Sequence, residues 1–390
     1  MSNVDFENIK TAFAHKNQKE LEKAYQLFSL FNIKWLNSLL SYLGNLAFKM
    51  NLPVSWMLKE NIFAHFCGGE SIYDCESTVE LLFKHKVESN LDYSVEATHG
   101  KESFDATRDE IVANVTLAGK HESLTFTSLK ITGLGEFKLL EKYSSGENLN
   151  IIEQEEWQAT LIRLDNICRK AHEQNIKVFI DAEESWIQPA IDDLADEMMS
   201  RYNKESSIVY NTYQMYRHDR LAFLKASHKK AANIGYILGA KLVRGAYMEK
   251  ESERATEKGY INPICSSKED TDNSFDSGCM YCLENLNQVH LVVASHNESS
   301  NKKVTNWMTD HNVDLADRRV YFAQLYGMSD HISFNLADAG YKVCKYIPYG
   351  PIKYVLPYLI RRAQENTSIE GQMGRELSLI KKELQRRKAT

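Results

Sequence analysis

The sequence predicts an α/β fold: a closed barrel of eight parallel strands alternating with helices, preceded by a helical N-terminal region. Three observations predict it. From about residue 90 onward, eight short runs rich in β-branched or aromatic residues alternate with helix-length segments, the pattern of a TIM-type (β/α)8 barrel. Runs such as the one around Leu291 are continuously apolar, which suits strands covered on both faces. Up to about Glu88, apolar residues instead recur at three- and four-residue spacing.

The N-terminal region, residues 1–88, shows that spacing at Leu21, Tyr25, Phe28 and Phe31, and again at Leu36, Leu39, Leu40 and Leu43. One buried helix face needs this period. The barrel, residues 89–390, has expected strands at Leu91–Val95, Leu124–Ile131, Val178–Asp181 and Ile208–Thr212. The remaining four are Lys241–Gly245, Leu291–Ser295, Val320–Gln324 and Val343–Ile347. Between them lie helical segments such as Trp157–Gln174, Arg217–Leu238, Asn301–His311 and Ser329–Gly340. The polar stretches Glu136–Gln154 and Asn262–Gly278 read as long βα loops. From Ser368 the chain reads as a charged amphipathic helix ending in Lys381, Lys382, Arg386, Arg387 and Lys388. Such a helix is ordinarily a solvated face; contact with anionic lipid is the sharper alternative.

Composition narrows the function. A net charge of -6 argues against a general nucleic-acid binder, which needs a basic surface. Seven cysteines, an odd number, fit a reducing compartment with free thiols. Cys279 and Cys282 form a CxxC with no second ligand pair, so they read as ordinary helix residues and no metal is expected. Residues 1–19 carry mixed charge and no apolar core, unlike a secretory signal or an acid-poor presequence. The expected setting is the cytoplasm, with peripheral attachment at the inner face of a membrane left open. No GxGxxG occurs, so a Rossmann dinucleotide site is not expected.

Barrel chemistry sits where strands end. The polar groups at those ends are Glu96, Lys130, Asp181 with Glu183 and Glu184, Asn211 with Gln214, and Lys241 with Arg244. Ser295, His296 and Asn297 follow the sixth strand, Gln324 and Leu325 the seventh, Tyr346 the eighth, and Arg361-Arg362 lie on the last helix. Gly245 beside Ala246 and Tyr247 would let backbone approach a ligand closely. Taken singly, each has a bland reading: a lone strand lysine snorkels at a rim, and an Arg-Arg pair is a solvated helix face. Together at successive strand ends they are hard to ascribe to chance.

At these residues the chain resembles the proline dehydrogenases. The matching segments are SLKITGLG (128–135), DAEES (181–185), NTYQ (211–214), KLVRGAY (241–247), ASHN (294–297), QLYGM (324–328), YIPYG (346–350) and YLIRRAQEN (358–366). The resemblance implies a distorted (β/α)8 barrel, FAD as cofactor, and oxidation of L-proline to 1-pyrroline-5-carboxylate. It implies Lys130, Arg361 and Arg362 as carboxylate ligands, with Glu96 pairing Arg361 as a gate. Ala246, Tyr247, Leu325 and Tyr346 become the wall around the pyrrolidine ring, and Asp181 the acid that orders Lys130. For the flavin it implies Asn211, Gln214 and Lys241 at the ring, with Val243, Arg244 and Gly245 behind it. Ser266 and Lys268 become phosphate contacts, Ser295, His296 and Asn297 the ribityl side, and Glu365 part of the closing motif. Lys241 stands where many bacterial relatives carry Arg, keeping the charge but losing the planar fork. Implied partners are L-proline, a membrane quinone as electron acceptor and, as a candidate docking partner, pyrroline-5-carboxylate dehydrogenase. A 4-hydroxyproline dehydrogenase is the near alternative, although that subfamily replaces the tyrosine at 346. A Schiff-base aldolase using Lys130 or Lys241 is the alternative of a different class.

Overall fold

The computed structural model describes residues 4–31, 63–93, 99–352, 355 and 372–389. Eight strands close in sequence order into a barrel: β1 (Glu88–Tyr93), β2 (Leu124–Leu129), β3 (Lys177–Ile180), β4 (Val209–Gln214), β5 (Leu238–Val243), β6 (Val289–Ala294), β7 (Val320–Leu325) and β8 (Val343–Tyr349). All eight expected strands are present, shifted by up to three residues at their ends. They are buried almost throughout, which is why a run such as Leu291–Ala294 is continuously apolar, although β1 and β4 also bury polar side chains.

Two expected loops are in part helices. The stretch Asn262–Gly278 turns helical at Lys268, running to Glu284. Ser267 caps that helix, its side chain accepting from Asp270 N at 3.0 Å, and Glu269 and Asp270 occupy the positive first turn. The stretch Glu136–Gln154 holds the helix Phe137–Ser144, which buries Leu139 and Leu140, and the start of Ile151–Gln174. Asn150 and Glu153 close a capping box there. In both stretches the polar residues are cap and solvent-side positions, so composition alone hid the helices. Cys279 and Cys282 are buried helix residues, as expected.

The chain divides into two compact units, 95–323 and 3–94 with 324–390. In the second unit the helical N-terminal residues Ala12, Phe13, Leu21 and Phe28 share one core with Phe66, Met328, Leu379 and Ile380. Leu21 and Phe28 are buried and Tyr25 is half-buried, the face that the spacing predicted. Leu36, Leu39, Leu40 and Leu43 lie outside the described residues.

The basic end of the helix Gln372–Lys388 is occupied within this unit. Arg387 donates to the carbonyls of Phe13 and Lys16, each at 2.9 Å, and Arg386 and Arg387 both pair with Glu383. Arg375 and Lys382 pair with Glu7. Three of the five basic residues that suggested lipid contact, Lys382, Arg386 and Arg387, therefore have carboxylate partners within this unit. Among the described residues no helix is long and apolar enough to cross a membrane.

Candidate active site

Strand alternation decides which side chains enter the barrel. In the 95–323 unit, Thr212 is in register with Lys241, and Asn211 with Ile180 and Ala240. Lys130 and Asp181 follow directly on the paired Leu129 and Ile180. Lys130, Asp181, Thr212 and Lys241 thus form one inward layer. Lys241 Nζ lies 2.6 Å from Asp181 Oδ1, and Lys130 Nζ lies 3.5 Å from Oδ2. Lys241 also sits 4.8 Å over the Phe179 ring. A carboxylate between two ammonium groups is the arrangement that makes such burial tolerable, since an unpaired buried charge is costly.

Asn211 departs from expectation. It faces outward, donating from Nδ2 to Asp192 Oδ1 at 2.8 Å, and Asp192 also pairs with Arg220 at 2.8 Å on the outer helices. Asn211 is one residue from an inward position, and a period of two sends it to the opposite face. Thr212 takes the inward place, a residue that sequence reasoning passed over. Its Oγ1 is buried without a hydrogen-bond partner. The signal was available: once Lys241 is assigned inward, the alternation of the paired strand selects Thr212.

The turn carrying Lys130 is held from the end of β3. Thr132 donates to both oxygens of Glu183, from N at 3.1 Å and from Oγ1 at 2.5 Å. Burial pushes the Glu183 carboxyl up to about 7, with Glu184 adding to the rise, against the Thr132 hydrogen bonds and Lys130. Gln214, inward like Thr212, donates to Glu183 O at 2.7 Å and accepts from Ala246 N at 3.3 Å. It joins the acidic run after β3 to the KLVRGAY segment. Ala246 is exposed and Tyr247 half-buried.

Within that segment Gly245 has φ +144°, and a Cβ there would lie 2.4 Å from the buried Tyr216 ring. Only glycine fits. Val243 and Arg244 are bonded through their carbonyls to Met215 N (2.8 Å) and Tyr216 N (2.7 Å). Arg244 donates to Asp272 (2.7 Å), Ser295 Oγ (2.7 Å) and Ser300 Oγ (2.9 Å). Asp272 lies in the second turn of the helix Lys268–Glu284 and Ser300 in the first turn of Glu298–Asp310, helices capped by Ser267 and Asn297. An arginine between two helix N-termini has the chemistry of an anion cradle. Ser266 donates to Asp270 at 2.6 Å and Lys268 to Asp272 at 2.6 Å, so both expected phosphate contacts have protein partners. His296 is half-buried beside this cradle in sequence. The donor set fits an elongated cofactor that is anionic in its middle and carries a polar ring edge. Arg244 and the helix ends suit the anion, while Lys241 and the unpartnered Thr212 oxygen suit the ring edge.

In the second unit Leu325 ends β7 and Tyr346 lies buried in β8, joined by Tyr326 N donating to Tyr346 O at 2.9 Å. Glu96, Arg361, Arg362 and Glu365 lie outside the described residues.

Residues 75–375 match the family model described as proline dehydrogenase. The chain belongs to the proline dehydrogenase family. It is thus an oxidoreductase of that family, as the motifs implied. It is 31% identical to Proline dehydrogenase 1, mitochondrial, of Dictyostelium discoideum, over 96% of this chain and 74% of that one. A Hydroxyproline dehydrogenase of Xenopus laevis is 32% identical over 85% of this chain and 79% of its own length. The carbapenem antibiotics biosynthesis protein CarD of Pectobacterium carotovorum is 31% identical over 83% of each. Among solved structures, proline utilization A (PutA) from Bdellovibrio bacteriovorus aligns at a TM-score of 0.73 and 22% identity. That alignment covers 93% of this chain and 38% of the larger protein, and it bears on the barrel fold alone.

Proposed function

We propose that this proline dehydrogenase family member oxidises L-proline to 1-pyrroline-5-carboxylate with FAD as cofactor. The observation that carries the reading is the inward layer Lys130–Asp181–Thr212–Lys241, at the strand ends where the family resemblance puts the substrate carboxylate and the flavin ring. A bound FAD would supply two-electron acceptance, taking the hydride that leaves proline C5 while the amine proton goes to solvent, and would pass the electrons on to a membrane quinone.

The chain's own residues orient and neutralise. Lys130, Arg361 and Arg362 hold the substrate carboxylate; one such pair at ~4 Å is worth roughly 4 kcal/mol at an intermediate dielectric. Glu96 is assigned the gating role that the resemblance implies, and Asp181 fixes the Lys130 ammonium. Ala246, Tyr247, Leu325 and Tyr346 form an apolar wall that keeps water from the ring. Lys241, Thr212 and Gln214 serve the flavin ring, with Thr212 in place of Asn211. Val243, Arg244, Gly245, Ser295, His296 and Asn297 serve the ribityl and diphosphate part. Ser266 and Lys268 would reach a phosphate by giving up Asp270 and Asp272.

The test is anaerobic addition of L-proline to the FAD-loaded protein. Bleaching of the flavin supports the reading; a flavin that proline never bleaches sinks it. The Arg362→Met variant should keep FAD and raise KM for proline by roughly two to three orders of magnitude. The similarity to a hydroxyproline dehydrogenase keeps a second reading in view. Tyr346, retained here, favours proline, and a higher kcat/KM for 4-hydroxyproline would reverse that choice.

A further inference from the structure

In the second unit, the turn from β7 into the helix Asp330–Asp338 is held by buried and half-buried charged and polar side chains drawn from four segments of the chain. Lys345 of β8 is fully buried, and its Nζ donates to the carbonyls of Leu325 (3.3 Å) and Met328 (2.5 Å) and to Asp330 Oδ1 (2.9 Å). Asp330 Oδ2 receives Lys16 Nζ at 2.7 Å and His15 Nε2 at 3.2 Å from the N-terminal region. His65 Nε2 lies 2.9 Å from the Gly327 carbonyl, and Ser329 N donates to Glu376 at 3.0 Å on the C-terminal helix. Tyr326 N donates to Tyr346 O. Gly327, at φ +79°, admits no side chain, because a Cβ would meet the His65 carbonyl at 2.3 Å.

This is more polar anchoring than a surface turn needs. Burying the Lys345 ammonium with the Asp330 and Glu376 carboxyl groups is costly, and such a cluster is a poor means of gaining stability alone. What it gives is geometry: an ammonium with three fixed acceptors holds each of them to a few tenths of an ångström. Leu325 is bonded directly to Lys345, and Tyr346 is its chain neighbour. These are the two residues that the functional reading assigns to the substrate wall in this unit. An alternative, that Lys345 merely neutralises Asp330, leaves unexplained why two of its three bonds go to turn carbonyls.

We infer that Lys345 is a positioning residue that sets the spacing of Leu325 and Tyr346, and thereby the selectivity for an unsubstituted five-membered ring. Asp330 and Lys16 extend that control to the N-terminal region, which becomes part of the specificity apparatus. The inference rests on the proposed proline oxidation. It moves the source of ring selectivity from the side chain at 346 alone to the buried node behind it.

The experiment compares FAD-loaded wild type, Lys345→Met and Lys16→Met with L-proline and with 4-hydroxy-L-proline, using a dye as electron acceptor. Lys345→Met is expected to keep bound FAD, to raise KM for proline about tenfold, and to lower the proline-to-hydroxyproline ratio of kcat/KM about fivefold or more. Lys16→Met should move both in the same direction by about threefold. A merely structural role would lower the FAD-loaded fraction and leave KM and the ratio untouched in the molecules that remain loaded. If Lys345→Met does not fold, Lys16→Met decides by the same two quantities. Wild type that turns over proline, with KM and ratio unchanged in a folded variant, overturns this inference alone. Wild type whose flavin proline cannot bleach overturns the functional reading and this inference with it.

Discussion

Replacing Asp181 by Asn removes the carboxylate that bridges Lys130 and Lys241 while keeping its shape. The distances set the scale. At 2.6 Å to Lys241 and 3.5 Å to Lys130, the gross attractions are about 6 and about 5 kcal/mol at an effective dielectric of ~20. Desolvation cancels much of this, and removing one partner of a buried pair costs roughly 3–5 kcal/mol net. For a chain of 390 residues, an unfolding entropy of about 2.1 cal/mol/K per residue turns that into a fall in Tm of roughly 4–6 °C. The informative comparison is a double-mutant cycle of Asp181→Asn with Lys241→Met, read by thermal unfolding. Losing both charges should cost less than the sum of the single losses, by roughly 1–3 kcal/mol. The same Asp181 variant should raise KM for proline about tenfold through a loosened Lys130. Additive losses, with no coupling, would mean that Asp181 does not neutralise Lys241, and the inward layer would lose its electrostatic rationale.

Three further outcomes follow from the same geometry. The Glu183 carboxyl is pushed from 4.5 up to about 7 by burial, so the folded chain keeps a proton that the unfolded chain releases. Its contribution to stability is fully present below about pH 4.5 and is lost as pH rises through about 7, with a slope of at most ~1.4 kcal/mol per pH unit. Glu183→Gln should flatten that slope in denaturant melts between those limits, and an identical slope would refute the assignment. Gly245→Ala must place a methyl against the Tyr216 ring at positive φ, and should destabilise by roughly 2–4 kcal/mol in chemical denaturation. A neutral Gly245→Ala would show that the segment relaxes easily. Thr212→Val removes a buried oxygen that has no protein partner. The cofactor-free protein should be unharmed, while FAD affinity by fluorescence titration falls about fivefold, worth ~1 kcal/mol; unchanged affinity would take Thr212 out of the cofactor site.

The eight strands were legible because apolar runs bounded by polar ends are a local property of the chain. So were the strand-end residues Lys130, Asp181 and Lys241, since a barrel puts its chemistry at those ends. The motifs added the family, and the match over 75–375 agrees with them. Two polar segments escaped because a helix with a solvated face and a loop share a composition. Their caps, Asn150 and Ser267, were the marks that distinguished them.

Direction was harder than position. Asn211 and Thr212 differ by one step along β4, and the family resemblance offered the asparagine as the group at the flavin edge. The register with β3 and β5 turned it outward to Asp192 and turned Thr212 inward. Apart from Lys130 with Asp181, which the family resemblance supplied, long-range charge pairing was out of reach. Lys16 meets Asp330 across 314 residues of chain, and Lys345 lies in a strand whose other members are apolar or aromatic. The sequence by itself determined the fold class, the strand ends and the family, all of which rest on local periodicity and short motifs. Only the tertiary structure decided which face each strand residue takes and which buried charges meet. Those depend on register and packing between segments distant in the chain, on which local pattern has no hold.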